Sequence, residues 1–171
     1  MSSATQAIGR GGAPAALPFV IGAVVVAAAL LALGAWRSTD SESKGASAIP
    51  TLELGTQGDS MVFDRTELTV RTGTMTKVVF HNNSRLSDMD HNWILVQSGA
   101  EQTSAAAGIA AGKEQDFVSP KDPNVIAFTK LAGRGKSSSV EFVAPPPGRY
   151  PYFCGFPGHQ MVMKGTLVVT P

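Results

Sequence analysis

Residues 152–165 of this 171-residue chain read YFCGFPGHQMVMKG, and this stretch decides both the fold and the chemistry that the sequence predicts. It holds Cys154, His159 and Met163 in the spacing C-x4-H-x3-M, directly between two apolar runs of strand length. A short loop that joins two strand ends brings such side chains together. A fourth donor, His91, lies upstream in the segment DHNW at residues 90–93, at the start of another apolar run.

Two imidazoles, one thiolate and one thioether form the ligand set of a blue-copper electron-transfer centre, in which the thioether bond is long and weak. Zinc is usually bound by Cys, His and carboxylates rather than by Met. Taken singly, a buried Cys or a Met near a strand is more often an ordinary core residue. The joint spacing therefore carries the prediction, which is one copper ion bound by His91, Cys154, His159 and Met163.

The small number of Cys and His residues limits the alternatives. Because Cys154 is the one cysteine, the chain has no internal disulfide, no zinc site with several thiolates and no C-x-x-C-H haem attachment. Three histidines are too few for a trinuclear copper cluster. The third of them, His81, follows an apolar run, and we predict a solvated residue at a strand end, outside the site. Asn82-x-Ser84 matches a glycosylation acceptor, which is a weak signal on its own.

From residue 51 onward the apolar residues come in short runs separated by Gly, Pro, Asn and Ser, which is typical of a β-sandwich or barrel. Period two places Tyr150, Tyr152 and Cys154 on one strand face and Phe153 on the other. Residues 144–148 read APPPG and predict a turn, since Pro cannot donate to a ladder. The runs span residues 52–54, 61–63, 68–70, 77–80, 93–96, 125–128, 140–143, 150–154 and 166–169.

The segment from Ala100 to Phe117 differs from the rest of the domain. Ala and Gln are frequent there and Pro is absent, which favours a short helix or helical loop outside the sheets. We expect Gly108 and Gly112 to interrupt it.

The first part of the chain is predicted to be an anchor and a tether. Residues 15–36 are strongly apolar, and as a helix they would measure about 33 Å, enough to cross a bilayer core of roughly 30 Å. A signal peptide cleaved after Gly34 is the alternative, although its apolar region is usually shorter. We therefore expect a transmembrane anchor over residues 1–36, a flexible linker over 37–50 and a folded domain over 51–171. Both interpretations place that domain on the periplasmic or extracytoplasmic side of the cell membrane.

Charge gives no support for a nucleic-acid partner. The formal net charge is +1, and residues 51–171 carry 11 Lys or Arg against 11 Asp or Glu.

The chain resembles the azurin and auracyanin branch of the cupredoxins, which are blue copper proteins. The resemblance lies in the segment HNW at 91–93, in VIAFTKLAG at 125–133, in the loop from Cys154 to His159 and in MKGT at 163–166. It implies an all-β, eight-stranded Greek-key sandwich with a helical insertion at about residues 100–117, and one type 1 copper. It also implies a weak approach of the Asp90 carbonyl to the copper.

Three departures from this branch are visible in the sequence. The single cysteine and the apolar N-terminal segment are similar to auracyanins, whereas the three residues between His159 and Met163 are similar to azurins. Gly155 stands where the branch usually has Ser or Thr, so the hydrogen bond from that side chain is lost and Asn92 must find another partner. Asp90 replaces the usual Gly or Gln before the first histidine.

The sequence therefore predicts a membrane-tethered electron carrier that exchanges single electrons with exported redox proteins in a photosynthetic or respiratory chain. The alternatives are a copper-delivery module and a fixed electron-accepting subunit of a respiratory complex. An enzyme with a small-molecule substrate is disfavoured, because four protein ligands leave no open position on the metal.

Overall fold

The computed structural model describes residues 48–171, which form eight strands and one α-helix. The predicted membrane anchor and most of the predicted linker lie outside these residues. No helix within residues 48–171 is long and apolar enough to cross a membrane. The elements in chain order are β1 Thr51–Gly55, β2 Glu67–Arg71, β3 Met75–His81, β4 Ile94–Val96, α1 Glu101–Ala111, β5 Val125–Phe128, β6 Ser137–Val143, β7 Gly148–Phe153 and β8 Lys164–Thr170.

The strands form two sheets, as the sandwich prediction requires. The smaller sheet has the order β1-β3-β6 and the larger sheet has the order β2-β8-β7-β4-β5. The chain changes sheet between β1 and β2, between β2 and β3, between β3 and β4, between β5 and β6, and between β6 and β7. Strands β7 and β4 are antiparallel neighbours, with Ile94 opposite Phe153. The start of β4 and the end of β7 therefore meet at one end of the sandwich.

Period two along β7 places alternate side chains on opposite faces, as predicted, and the two faces contact different hydrophobic clusters. Tyr152 and Cys154 are buried in the main core between the sheets, and Tyr150 packs against it. Phe153 points to the other face, where it joins a smaller cluster with Ile94 and other apolar residues. Two members of this cluster, Ala105 of α1 and Val118, come from the helical insertion. The insertion therefore covers the outer face of the larger sheet next to the end of β7.

The helical insertion differs from the prediction at one of its two glycines. Gly112 ends α1, and a short 3-10 turn at Lys113–Gln115 follows. Gly108, however, continues the helix and is buried. A Cβ at this position would collide with the backbone carbonyl of Phe117, so a glycine is required for close packing rather than for a break.

The apolar run at residues 61–63 was predicted to be a strand, and this prediction is wrong. The structure places Phe63 in a loop, where it forms only an isolated bridge with Thr56. Its ring is 1% exposed and packs edge-on against Phe80 and Tyr152. The apolar character of this run is explained by the buried Phe63 ring, which anchors the loop in the core, and not by strand pairing. The APPPG turn lies between β6 and β7, as predicted.

Candidate metal centre

Three of the predicted ligands meet at the end of the sandwich where β4 begins and β7 ends. The Cys154 Sγ atom lies 3.7 Å from the Nδ1 atoms of both His91 and His159. The two Nδ1 atoms are 3.2 Å apart. All three residues are buried, with exposed fractions of 0% for Cys154, 1% for His91 and 5% for His159. Within residues 48–171 no other group of three His, Cys, Asp or Glu side chains converges in this way.

The spacing of these three donor atoms fits a small metal ion. A point equidistant from the two Nδ1 atoms and the Sγ atom would lie about 2.1 Å from each of them, close to usual metal–nitrogen and metal–sulfur bond lengths of about 2.0–2.3 Å. A set of one thiol and two imidazoles at this spacing, enclosed by protein, is well suited to a transition metal that accepts both nitrogen and sulfur ligands.

The loop from β7 to β8 holds three of the four predicted ligands by backbone hydrogen bonds. The Cys154 N–H donates to the Met163 carbonyl, and the Met163 N–H donates to the His159 carbonyl. Gly158 adopts a left-handed conformation with φ of 85°, which turns the chain into the 3-10 segment His159–Met161. Met163 is 0% exposed and belongs to the same core cluster as Cys154. The loop thus holds the Met163 main chain against those of Cys154 and His159.

His91 comes from a different loop and is held by the neighbouring segment. Its backbone N–H donates to the Ala132 carbonyl, and the Ala132 N–H donates back to the His91 carbonyl. Two residues later, the Trp93 N–H donates to Thr129 Oγ1. His91 is therefore fixed against residues 129–132 through its main chain, which leaves the ring free to face Cys154.

Burial sets the protonation state of the metal-free cluster. It lowers the pKa of His91 from 6.5 to about 4, and the nearby His159 charge acts in the same direction. It also lowers the pKa of His159. Both imidazoles are therefore neutral near pH 7, which is the form that binds metal. Burial raises the pKa of Cys154 to about 11, although backbone N–H groups of Asn92 and Phe156 oppose the shift. A metal must displace the thiol proton.

The structure shows how Asn92 compensates for Gly155. The Asn92 Oδ1 atom accepts a hydrogen bond from the Gly155 N–H at 2.7 Å, which links the two ligand loops directly. The Asn92 Nδ2 atom donates to the backbone carbonyl of Asp116, also at 2.7 Å. This second partner comes from the segment after α1. The helical insertion therefore provides the contact that the missing hydroxyl cannot make.

The segment that receives Asn92 was not identified from the sequence. Asp116 and Phe117 both have φ of 53°, an unusual conformation for two consecutive residues that are not glycine. The Asp116 carboxylate accepts from the Leu131 N–H, and the Phe117 ring packs edge-on against Phe156. Phe156 in turn stacks over the His159 ring at a centroid distance of 4.6 Å. No local sequence signal points to this segment, because its role arises only from tertiary contacts.

Asp90 does not direct an unpaired carboxylate into the cluster. Its Oδ2 atom lies 2.8 Å from Lys113 Nζ, and its side chain is 19% exposed. This contact raises the pKa of Lys113, although Lys113 is exposed and the pair is accordingly weak. The negative charge next to His91 is thus partly balanced by the 3-10 turn that follows α1.

His81 lies apart from the cluster, as predicted. It is the last residue of β3, it is half-buried, and its Nδ1 atom lies 2.7 Å from Ser137 Oγ. The adjacent glycosylation motif is blocked in the folded protein, because the Asn82 side chain is 1% exposed and its Nδ2 atom already donates two hydrogen bonds.

An eight-stranded sandwich of two sheets, with two His and one Cys gathered at one end, defines a cupredoxin. Sequence comparison agrees with this, since residues 50–170 match the family described as "Copper binding proteins, plastocyanin/azurin family". The chain belongs to this family, whose cofactor is one type 1 copper ion. The donor set and its spacing fit that ion.

Sequence and structure comparisons with individual proteins point to the auracyanin and azurin branch of this family. The chain is 40% identical to auracyanin-A of Chloroflexus aurantiacus over 121 residues, which cover 70% of this chain and 74% of that protein. It is 38% identical to the azurin of Pseudomonas chlororaphis over 117 residues, which cover 65% and 91% of the two chains. The solved structure of auracyanin A, a "blue" copper protein, superposes with a TM-score of 0.66, and the match covers 70% of this chain and 98% of that one. The resemblance to the azurin and auracyanin branch is confirmed.

Proposed function

We propose that this chain is a membrane-tethered type 1 copper protein that passes single electrons between exported redox proteins and catalyses no reaction of its own. Membership of the plastocyanin/azurin family supports the electron-transfer role. The observation that carries the proposal is the triangle of Cys154 Sγ, His91 Nδ1 and His159 Nδ1, with sides of 3.2 to 3.7 Å.

The proposed ligands are His91, Cys154, His159 and Met163. Bound copper would supply a one-electron couple, with sulfur favouring the reduced ion and imidazole the oxidised ion. The chain supplies a rigid and dry setting for it. A hydrogen bond from the Gly155 N–H to Asn92 joins the two ligand loops, and the paired strands β4 and β7 support both of them. A site fixed in this manner changes little between oxidation states, which favours fast transfer.

His159 is the proposed point of electron entry and exit. It is 5% exposed, and exposed apolar side chains stand near it in the sequence: Met161 at 65% and Val162 at 55%. The resemblance to the azurin and auracyanin branch implies that Met61, Met89 and Ile109 lie at the same end of the sandwich, and Met61 and Ile109 are each 40% exposed. Small apolar contacts of this kind suit a brief encounter between redox proteins, because they exclude water without binding tightly. Positive and negative side chains are equal in number in residues 51–171, so neither sign dominates enough to steer a partner strongly.

The membrane tether and the domain boundaries belong to the same proposal. The apolar run at residues 15–36 is long enough to span a bilayer, and the linker over 37–50 would let the domain over 51–171 reorient near the surface. We place the copper domain on the periplasmic or extracytoplasmic side of a single-pass anchor. Its partners would be an electron donor and an electron acceptor in that compartment.

The test is the visible spectrum of the chain loaded with Cu(II). A thiolate bound to Cu(II) gives an intense blue colour, which should disappear in Cys154→Ser. Lys77→Ser, a substitution in β3 away from the cluster, serves as the control and should stay blue. A Cys154→Ser protein with the full colour would contradict the ligand assignment.

The tether is tested separately. The full chain should remain in the membrane fraction after a carbonate wash, whereas a chain that begins at residue 48 should be released. Release of both forms would contradict the anchor and leave the copper site unaffected.

A further inference from the structure

The Asn82 side chain connects the two loops beside His91, although it is not a ligand. Asn82 directly follows β3 and is 1% exposed. Its Nδ2 atom donates to the carbonyl oxygens of Met89 at 2.6 Å and Ala132 at 2.8 Å. Its Oδ1 atom accepts from the Ser84 N–H at 3.0 Å. The amide group thus has three backbone partners.

Two of these partners flank His91. Met89 lies two residues before it, so the hydrogen bond from Asn82 closes the loop that leads to the ligand. The Ala132 carbonyl, which accepts from Asn82, also accepts from the His91 N–H at 3.1 Å. Asp90 is therefore held between two residues whose positions both depend on Asn82.

The Asn82 main chain reinforces the arrangement. Its N–H donates to the Lys136 carbonyl, and its carbonyl accepts from the Gly135 N–H. These bonds attach the end of β3 to the same connection between β5 and β6 that contains Ala132. The side chain therefore sits on a fixed base and cannot shift without breaking backbone pairs.

We propose that Asn82 is a positioning residue for the copper centre: its amide sets the place of the His91 main chain and of the Asp90 carbonyl relative to Cys154. This inference rests on the proposed role of His91 as a ligand. Only an amide can donate two hydrogen bonds to Met89 and Ala132 while it accepts one from Ser84. Without it, the Met89 carbonyl loses this donor and the Ala132 carbonyl keeps only the His91 N–H, so the loop that carries His91 gains freedom.

The decisive variant is Asn82→Asp, which preserves the shape and the acceptor but replaces both N–H donors by an oxygen. Asn83→Asp is the matched control, since the exposed Asn83 amide donates to the Thr56 carbonyl and not to the His91 loop. In the copper-free chain, we expect the His91 and Ala132 amides to exchange with solvent at least about tenfold faster in Asn82→Asp than in Asn83→Asp. After copper loading, Asn82→Asp alone should change the copper hyperfine splitting and the midpoint potential.

The proposal is overturned if the two amides keep their wild-type exchange rates, or if they accelerate while the hyperfine splitting and the potential stay unchanged. A purely structural role would produce the second pattern.

A measurement on the wild-type chain decides the matter if Asn82→Asp does not fold. The Asn82 side-chain NH2 protons should exchange at least about tenfold more slowly than those of Asn83, because they are buried and hydrogen-bonded. Equal rates for the two side chains would overturn the proposal. Absence of blue colour in the wild-type chain would instead contradict the proposed function, since the exchange measurements use copper-free protein and concern Asn82 alone.

Discussion

Gly155 offers a sharp test of how closely the copper loop packs against the larger sheet. The residue is buried directly after Cys154. A Cβ added there would lie 2.5 Å from the Ile94 Cδ1 atom and 3.1 Å from the Phe117 carbonyl oxygen. The first distance is a clash, and the second is tighter than most Cβ contacts, so both neighbours would have to shift. Gly155→Ala should therefore destabilise the chain.

The size of the effect follows from these contacts. Overpacking by one methyl group costs about 1–3 kcal/mol of the free energy of unfolding. Ile94→Val removes the Cδ1 atom that clashes and alone should cost about 0.5–1.5 kcal/mol. The double variant regains the space, so the two substitutions should couple favourably by about 1 kcal/mol. The Phe117 carbonyl is backbone and cannot yield as easily, which leaves part of the cost in place.

Urea denaturation of the copper-free chain, followed by circular dichroism, measures all four members of the cycle. Ile126→Val on β5 is the control, because Ile126 packs against the main core rather than against Gly155. Combined with Gly155→Ala, it should be additive within about 0.5 kcal/mol. Additive behaviour of Ile94→Val as well would refute the reasoning and show that the loop moves away from the sheet at little cost.

Four further outcomes are expected. Met163→Leu should retain copper and raise the midpoint potential in voltammetry, whereas Met161→Leu should change it little; the opposite pattern would mean that Met161 is the axial residue. Met161→Lys should slow electron self-exchange in stopped-flow measurements and leave the visible spectrum unchanged, and an altered spectrum with normal exchange would place Met161 at the metal. In the copper-free chain, the lowered pKa of His91 means that the folded state disfavours protonation of this residue. The free energy of unfolding should therefore keep its highest value above pH 6.5 and fall as the pH drops towards about 4. Denaturant titrations of His91→Gln should show a smaller fall over the same pH range. The copper-free Cys154 thiol should react with iodoacetamide far more slowly than free cysteine at pH 8, because it is buried and its pKa is raised to about 11; rapid alkylation would contradict the described packing.

The parts of the site that depend on local sequence were predictable. Cys154, His159 and Met163 lie within one short loop, so their spacing alone predicted that they converge. His91 is 63 residues from Cys154 and was predicted from its own motif and from the donors that copper requires. The eight-stranded sandwich followed from the length and spacing of the apolar runs together with the family resemblance.

The supporting residues were not predictable, because their roles depend on long-range contacts. Asp116 accepts from Asn92 only because the insertion folds back over the end of β7. Asn82 looked like part of a surface motif until its amide proved to be buried between two loops. Gly108 was expected to break α1, but in fact it permits the close approach of Phe117. In each case the sequence shows the residue type, but the contacts that give the residue its role form only in the tertiary structure.

The position of the proposed ligands along the chain has a consequence for the unfolded protein. Three of them lie within residues 154–163, whereas His91 is 63 residues from Cys154. Closing the short segment around a metal costs roughly 1.7 kcal/mol less chain entropy than closing the long one. In an unfolded or newly synthesised chain, the three donors in residues 154–163 can therefore gather around a metal at a smaller entropic cost than all four. Copper that binds both states stabilises the fold only by the difference between the two affinities, so its effect on the melting temperature should be smaller than the native binding constant alone would imply.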